Sequence, residues 1–185
     1  MDQNMKTRKW YYFFWLLIVF SAAGCGQGTM VTTAAPDDSA AEPSERVLHM
    51  DHAQPKLTTL KLYLADKTVI AEVAKSITEI ATGMMFRESM GENEGMLFVF
   101  GRPHQTSFYM KNTIVPLSGA YIDSEGKILE IHKMEPHNQA GIPSKKDNIQ
   151  FVLEMNQGWF EKNGIHVGTR IVTERGPLAK TFFGR

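Results

Sequence analysis

Apolar and polar residues alternate from Leu60 onward, where Leu60, Leu62 and Leu64 are separated by Lys61 and Tyr63. Val69, Ala71 and Val73 repeat the pattern a few residues later. Alternate side chains of a strand face opposite ways, so this period of two predicts two half-buried strands turning at Ala65-Asp66-Lys67. Ser76 and Glu79 then have the spacing of a capping box, which opens a short helix that Gly83 ends. Residues 96–100 form an unbroken apolar run between Gly95 and Gly101, the mark of a strand covered on both faces. Further strands are predicted over 108–110, 120–123, 127–133, 149–154 and 167–173, with 120–123 and 127–133 joined around Ser124-Glu125-Gly126. A second short helix is predicted over 156–163, stopped by Gly164. Many short strands with two minor helices give a mainly β (α+β) class, a compact barrel-like antiparallel β domain.

The amino terminus follows a different pattern. Lys6, Arg8 and Lys9 precede an apolar run over 10–20, and Ser21, Ala22, Ala23 and Gly24 lead to Cys25. These are the three parts of a secretory signal. The apolar run falls short of the ~20 residues a membrane-crossing helix needs. Cys25 is the only cysteine in the chain, so no intramolecular disulfide can form, and the expected role of its thiol is to carry lipid. Each acyl methylene buried in a bilayer contributes roughly 0.8 kcal/mol, so several chains anchor firmly. The segment is similar to a bacterial lipobox with Ala22 at the usual leucine position, and Gly26 favours outer-membrane sorting where a cell has two membranes. Residues 26–56 are rich in Ala, Thr, Ser, Asp and Pro and carry too few apolar groups to offset their ordering entropy. The expected organisation is a signal peptide over 1–24, a lipidated cysteine and tether over 25–56, a β domain over 57–175 and a tail over 176–185.

Twenty basic and twenty acidic residues give a formal net charge of zero, which argues against a nucleic-acid partner. Eleven methionines are more than such a chain usually carries. Thioethers suit copper(I), but they also fill irregular gaps in a core, and the absence of a repeated Met-x-x-Met pattern favours packing. The histidines, including His49, His52, His104, His132 and His137, lack the helical spacing of a zinc site, so no metal and no cofactor is expected. No nucleophile elbow or phosphate-cradling loop is present. Asp123, Glu130 and Glu154 are carboxylates in or beside strands. The densest chemistry lies over 108–117, where Phe108, Tyr109 and Met110 run into Lys111, Asn112 and Thr113. An ammonium and an amide beside aromatic rings suit a polar ligand; the same residues also suit a turn, with Lys111 reaching outward.

Three ordered motifs carry a resemblance to a known family. They are Thr82-Gly83-Met84-Met85-Phe86-Arg87, then Glu94-Gly95-Met96-Leu97-Phe98-Val99-Phe100, then residues 108–117. Together with Pro143-Ser144, Val152-Leu153-Glu154 and Gly158-Trp159-Phe160, they resemble the family called domain of unknown function 192 over residues 57–175. The resemblance implies a small, mainly β domain, often exported, with no established activity. Its motif positions hold Arg87, Lys111, Asn112, Thr113, Asp123, Ser144 and Glu154 here. Two departures from the family pattern are Ser118, where aspartate is usual, and Thr82, where arginine is usual.

The combined expectation is an exported, membrane-anchored lipoprotein of the cell envelope with a non-catalytic binding or accessory role. Its ligand would be a polar envelope molecule such as a saccharide or a peptidoglycan fragment. The candidate binding residues are Arg87, Tyr109, Lys111, Asn112, Thr113, Asp123, Ser144 and Glu154. Two alternatives stand beside it. One is a hydrolase or lyase using Asp123 or Glu154 as base with Lys111 stabilising negative charge. The other is copper handling through Met and His.

Overall fold

A computed structural model describes residues 48–184, so the signal segment, Cys25 and most of the tether lie outside the described residues. Strands β1 (Thr59–Leu64) and β2 (Lys67–Ala74) form the hairpin that the alternation predicts, with Leu60, Leu62, Leu64, Val69, Ala71 and Val73 all buried. Helix α1 (Ile77–Thr82) follows. Its capping box is complete: the Ser76 hydroxyl accepts from Glu79 N, and the Glu79 carboxylate accepts from Ser76 N. Gly83 ends the helix at φ 49°, a conformation that favours glycine.

The remaining elements are β3 (Glu94–His104), β4 (Ser107–Phe108), β5 (Leu117–Ile122), β6 (Ile128–Met134), β7 (Ile142–Pro143) and β8 (Ile149–Asn156). They are followed by α2 (Trp159–Lys162), β9 (Ile171–Thr173), β10 (Gly176–Pro177) and α3 (Leu178–Phe183). Eight strands form one sheet in the order β10-β9-β1-β2-β3-β8-β5-β6, and β4 pairs with β7 in a small second sheet. All pairs are antiparallel except β2 with β3, whose connection through α1 returns the chain in the same direction.

The mainly β, α+β class holds, but the barrel is not closed. The sheet has two edges, β10 and β6, and among the described residues the chain entering β6 meets the chain entering β9 through one isolated antiparallel bridge, between Lys127 and Arg170. There Ile128 N donates to Thr169 O at 2.9 Å and Gly168 N to Ile128 O at 2.8 Å. The expected strand over 167–173 is reduced to Ile171–Thr173 because Gly168 at φ 97° breaks the extended run. The expected strand over 108–110 is likewise cut to Ser107–Phe108, since the chain turns through Asn112 at φ 55°.

Both ends of the domain extend beyond the expected boundaries. Gln54, assigned to the tether by composition, is 3% exposed, and its amide donates to Gly83 O at 2.8 Å and Glu79 O at 3.2 Å. Residues 176–183 are β10 and α3 rather than a tail, with Leu178 fully buried and Phe182 and Phe183 against Phe151. The third helix was missed because only six residues, too few for a readable period, carry it.

Central strands β3, β8 and β5 are buried on both faces, and successive residues serve different cores. On β3, Leu97 and Val99 join one core with Leu62, Phe151, Leu153, Trp159 and Phe160. Met96, Phe98 and Phe100 face the other, with Met84, Met110, Leu117, Tyr121 and Val152. That second core is covered by loops and by the β4–β7 pair, and it contains the site described next.

A cavity floored by a buried carboxyl

Strand β8 runs Ile-Gln-Phe-Val-Leu-Glu-Met-Asn, so period two brings Glu154 to the face shared by Val152, beneath the loop layer. It lies between Met96 on β3 and Gly119 on β5. Glu154 is 4% exposed, and among the described residues its carboxyl has no hydrogen-bond or ion-pair partner. Burial alone pushes its pKa up from 4.5 to about 8, since the carboxylate would lose its hydration without compensation. At neutral pH the group is therefore a carboxylic acid, able to donate a hydrogen bond.

Glu154 forms part of the wall of a cavity of about 200 Å³. One side is the end of α1 and the turn after it, with Thr82, Gly83, Met84 and Met85; the other is the 106–113 loop, with Thr106, Phe108, Tyr109, Met110 and Thr113. Phe98 and Phe100 of β3 complete it, Phe108 standing edge-on to Phe98 at 4.9 Å between ring centres. The two sides are joined by one backbone bond, Phe86 N donating to Asn112 O at 2.8 Å. Phe86 and Asn112 both have positive φ, at 63° and 55°. For a residue with a bulky side chain that conformation stores strain, so the surroundings must hold it in place.

The eight sequence-predicted residues separate into groups. Tyr109, Thr113 and Glu154 line this cavity together. Arg87 lies in an adjoining depression of about 60 Å³ that shares Met84 with it. There the Arg87 guanidinium grips Glu72 at 3.2 and 3.0 Å, so its charge is already matched. Lys111 and Asn112 occupy the adjacent turn but do not line the cavity, so Lys111 and Glu154 are not brought together in it. Asp123 shapes the β5–β6 turn, its Oδ1 accepting from Glu125 N and Lys127 N at 2.9 Å each. Ser144, 1% exposed, accepts from Thr106 N and donates to Lys146 O, fixing the loop before β8.

The apolar wall residues Met84, Met85, Met110, Phe98 and Phe108 carry no sequence signal for a cavity, because buried side chains read alike whether they fill space or bound it. The isolated acid in the apolar β8 was the readable sign. A larger groove of about 620 Å³ lies beside α3, lined by Lys56, Leu60, Lys75, Glu79, Arg175 and Phe182 among others. Its one acid, Glu79, already accepts the backbone amides of Ser76 and Lys75, which hold its pKa below the usual range. Among the described residues no group of three or more His, Cys, Asp or Glu is placed to hold a metal. None of the described helices is long and apolar enough to cross a membrane.

Both departures from the family pattern have a place in this frame. The Ser118 hydroxyl, 2% exposed, accepts from Gly158 N at 3.1 Å and so holds the start of α2. Thr82 Oγ1 accepts from Met50 N at 3.0 Å and ties the incoming chain to α1. Ser118 therefore has a structural partner and lies outside the cavity. Ser118→Ala is expected to destabilise the protein by about 1 kcal/mol, read from urea denaturation, while leaving Glu154 titration unchanged.

Fold and cavity together define a small α+β domain built on one open mixed sheet, with a carboxyl-floored pocket under a loop layer. The chain belongs to the domain of unknown function 192 family (DUF192, Uncharacterized ACR), whose model matches residues 60–173, more than half of the chain. It is similar to the crystal structure of a proposed transcription regulator from Sinorhizobium meliloti 1021, at 31% identity and a TM-score of 0.62. That match covers 65% of this chain and 98% of the other. A protein of unknown function from Novosphingobium aromaticivorans DSM 12444 matches at 27% identity and a TM-score of 0.58, over 62% of this chain and 85% of its own. No curated protein matches the chain.

Proposed function

We propose that this DUF192 domain is a non-catalytic binding or accessory module, exported and tethered to the cell envelope through Cys25, whose ligand enters the cavity around Glu154. The observation that carries this reading is a buried carboxyl without a partner, on a residue that lines a cavity. Such a group lowers stability, and a binding role gives a reason to keep it. The cavity is smaller than the ~300–1,000 Å³ of sites for drug-sized ligands, and its walls are mostly Met and Phe. Both properties favour a small, largely apolar molecule with one polar group over the saccharide suggested by the 108–117 motif. Zero net charge and, among the described residues, helices of four to six residues give no support to nucleic-acid binding.

The test is a melting-temperature screen of the full chain in detergent against small alcohols, amides, amines and carboxylic acids. Binding stabilises by mass action, so a ligand at 100 times its Kd adds about 2.7 kcal/mol. A shift with at least one class, abolished by filling the cavity with Thr113→Phe, supports the reading. Shifts of equal size in Thr113→Phe would place binding elsewhere. The tether is tested separately by mass spectrometry of the mature amino terminus, which should begin at an acylated Cys25; an unmodified start would remove the anchor.

A further inference from the structure

The chemistry around Glu154 narrows the ligand class. This inference rests on the binding reading above and adds the sign of the ligand's charge. Three features of the cavity converge. First, the carboxyl at its floor has no positive partner among the described residues: Arg87 is engaged by Glu72, and no Lys, Arg or His lines the cavity. Second, four aromatic residues stand in the walls, Phe98, Phe100, Phe108 and Tyr109, and ring faces attract cations. Third, the remaining wall is thioether and methyl, from Met84, Met85, Met110 and Ile80, which accepts an apolar body.

We infer that the cavity binds a small organic monocation, an ammonium group on an apolar body, with the ammonium against Glu154 and the body among Met84, Phe98, Phe108 and Met110. A neutral acid offers a polar ligand one O–H donor and a carbonyl acceptor but no charge, whereas an ammonium supplies the missing counter-charge and lets the carboxyl ionise. An anion could accept one hydrogen bond from the neutral acid, but no Lys, Arg or His in the walls offers it a counter-charge, and it would oppose ionisation of Glu154. The other ionisable groups facing this site are the phenols of Tyr109, in the wall, and Tyr121 of β5, whose own ionisation burial and Glu154 both oppose. Burial thus keeps Tyr121 neutral, and Glu154 is the carboxyl whose titration the cavity governs.

Proton balance follows. Below pH 8 the free protein holds a proton on Glu154, and the ammonium complex releases it to solvent. Affinity should therefore rise about tenfold per pH unit up to about pH 8 and level off above it. The experiment compares benzylammonium, benzyl alcohol and benzoate, near-isosteres of different charge, by calorimetry on the full chain in detergent. It is run at pH 6, 7 and 8 in two buffers of different ionisation heat. The expected result is binding of benzylammonium alone, with close to one proton released at pH 7 and a gain of about fiftyfold from pH 6 to 8. Glu154→Gln, a change expected to stabilise the fold, should lose both the binding and the proton release. Binding of benzyl alcohol with equal or greater affinity would overturn the charge assignment while leaving the cavity as a ligand site. Benzylammonium binding that persists undiminished in Glu154→Gln would overturn it as well. No binding by any of the three, joined to a blank small-molecule screen, would remove both readings.

Discussion

Replacing Glu154 by glutamine should raise stability at pH 8 by about 4 kcal/mol and leave it nearly unchanged at pH 4. The sign comes from proton linkage. Below pH 4.5 the carboxyl is protonated in the folded and unfolded chains alike, and it contributes no pH dependence. Between 4.5 and about 8 the unfolded chain gives up the proton while the folded chain keeps it, so stability falls as pH rises. That interval, at about 1.4 kcal/mol per pH unit, amounts to about 4 to 5 kcal/mol, after which the penalty stays constant. Glutamine has similar size and no charge to lose, so it removes the slope. Urea denaturation of the full chain and of Glu154→Gln at pH 4, 6 and 8 reads this directly. Curves that stay parallel across the range would show that Glu154 ionises in the fold as it does in water.

The second large effect is expected at Gly95. It pairs with Ala71 of β2 on one side and Met155 of β8 on the other, in the middle of the sheet. A Cβ there would lie 2.6 Å from Met155 Sδ and 2.7 Å from Glu154 O. The thioether can rotate aside, but the carbonyl belongs to a central strand and cannot move without opening the β3–β8 ladder. Gly95→Ala should therefore destabilise by about 3 kcal/mol, or about 10 °C in melting temperature for a domain of this size. Because the clash is with the backbone of Glu154 itself, the variant should also disturb ligand binding in the cavity. Gly101 is the matched control in the same strand. Nothing lies within 4 Å of its added Cβ, so Gly101→Ala should change melting by no more than a degree or two.

Local rules made much of the fold legible. The Leu60–Leu64 alternation, the Ser76 and Glu79 box and the apolar run at 96–100 each act within a few residues, and each formed the expected element. Closure was not legible, since it depends on how far β6 and β9 approach in space, and they meet only at their starts, around the bridge between Lys127 and Arg170. Gln54 escaped notice because composition assigns it to the tether, whereas its partners on α1 lie 25 to 29 residues away. Among the candidate residues, Glu154, Tyr109 and Thr113 line one cavity. Asp123, Ser144 and Asn112 drew attention as polar residues in motifs, yet they serve turns, where side-chain oxygens and left-handed backbone are also in demand. Motif position alone does not separate these two uses of a polar residue; only the distance to a cavity does.

The most direct test of the central claim is the titration of the Glu154 side-chain carboxyl carbon by NMR in the full chain, followed with and without benzylammonium. A carboxyl held neutral by burial at the floor of a cation site should titrate near pH 8 in the free protein. Its midpoint should fall by more than two pH units when the ammonium is bound. A midpoint near 4.5 in the free protein, or one near 8 that does not move when the ammonium binds, would contradict the account.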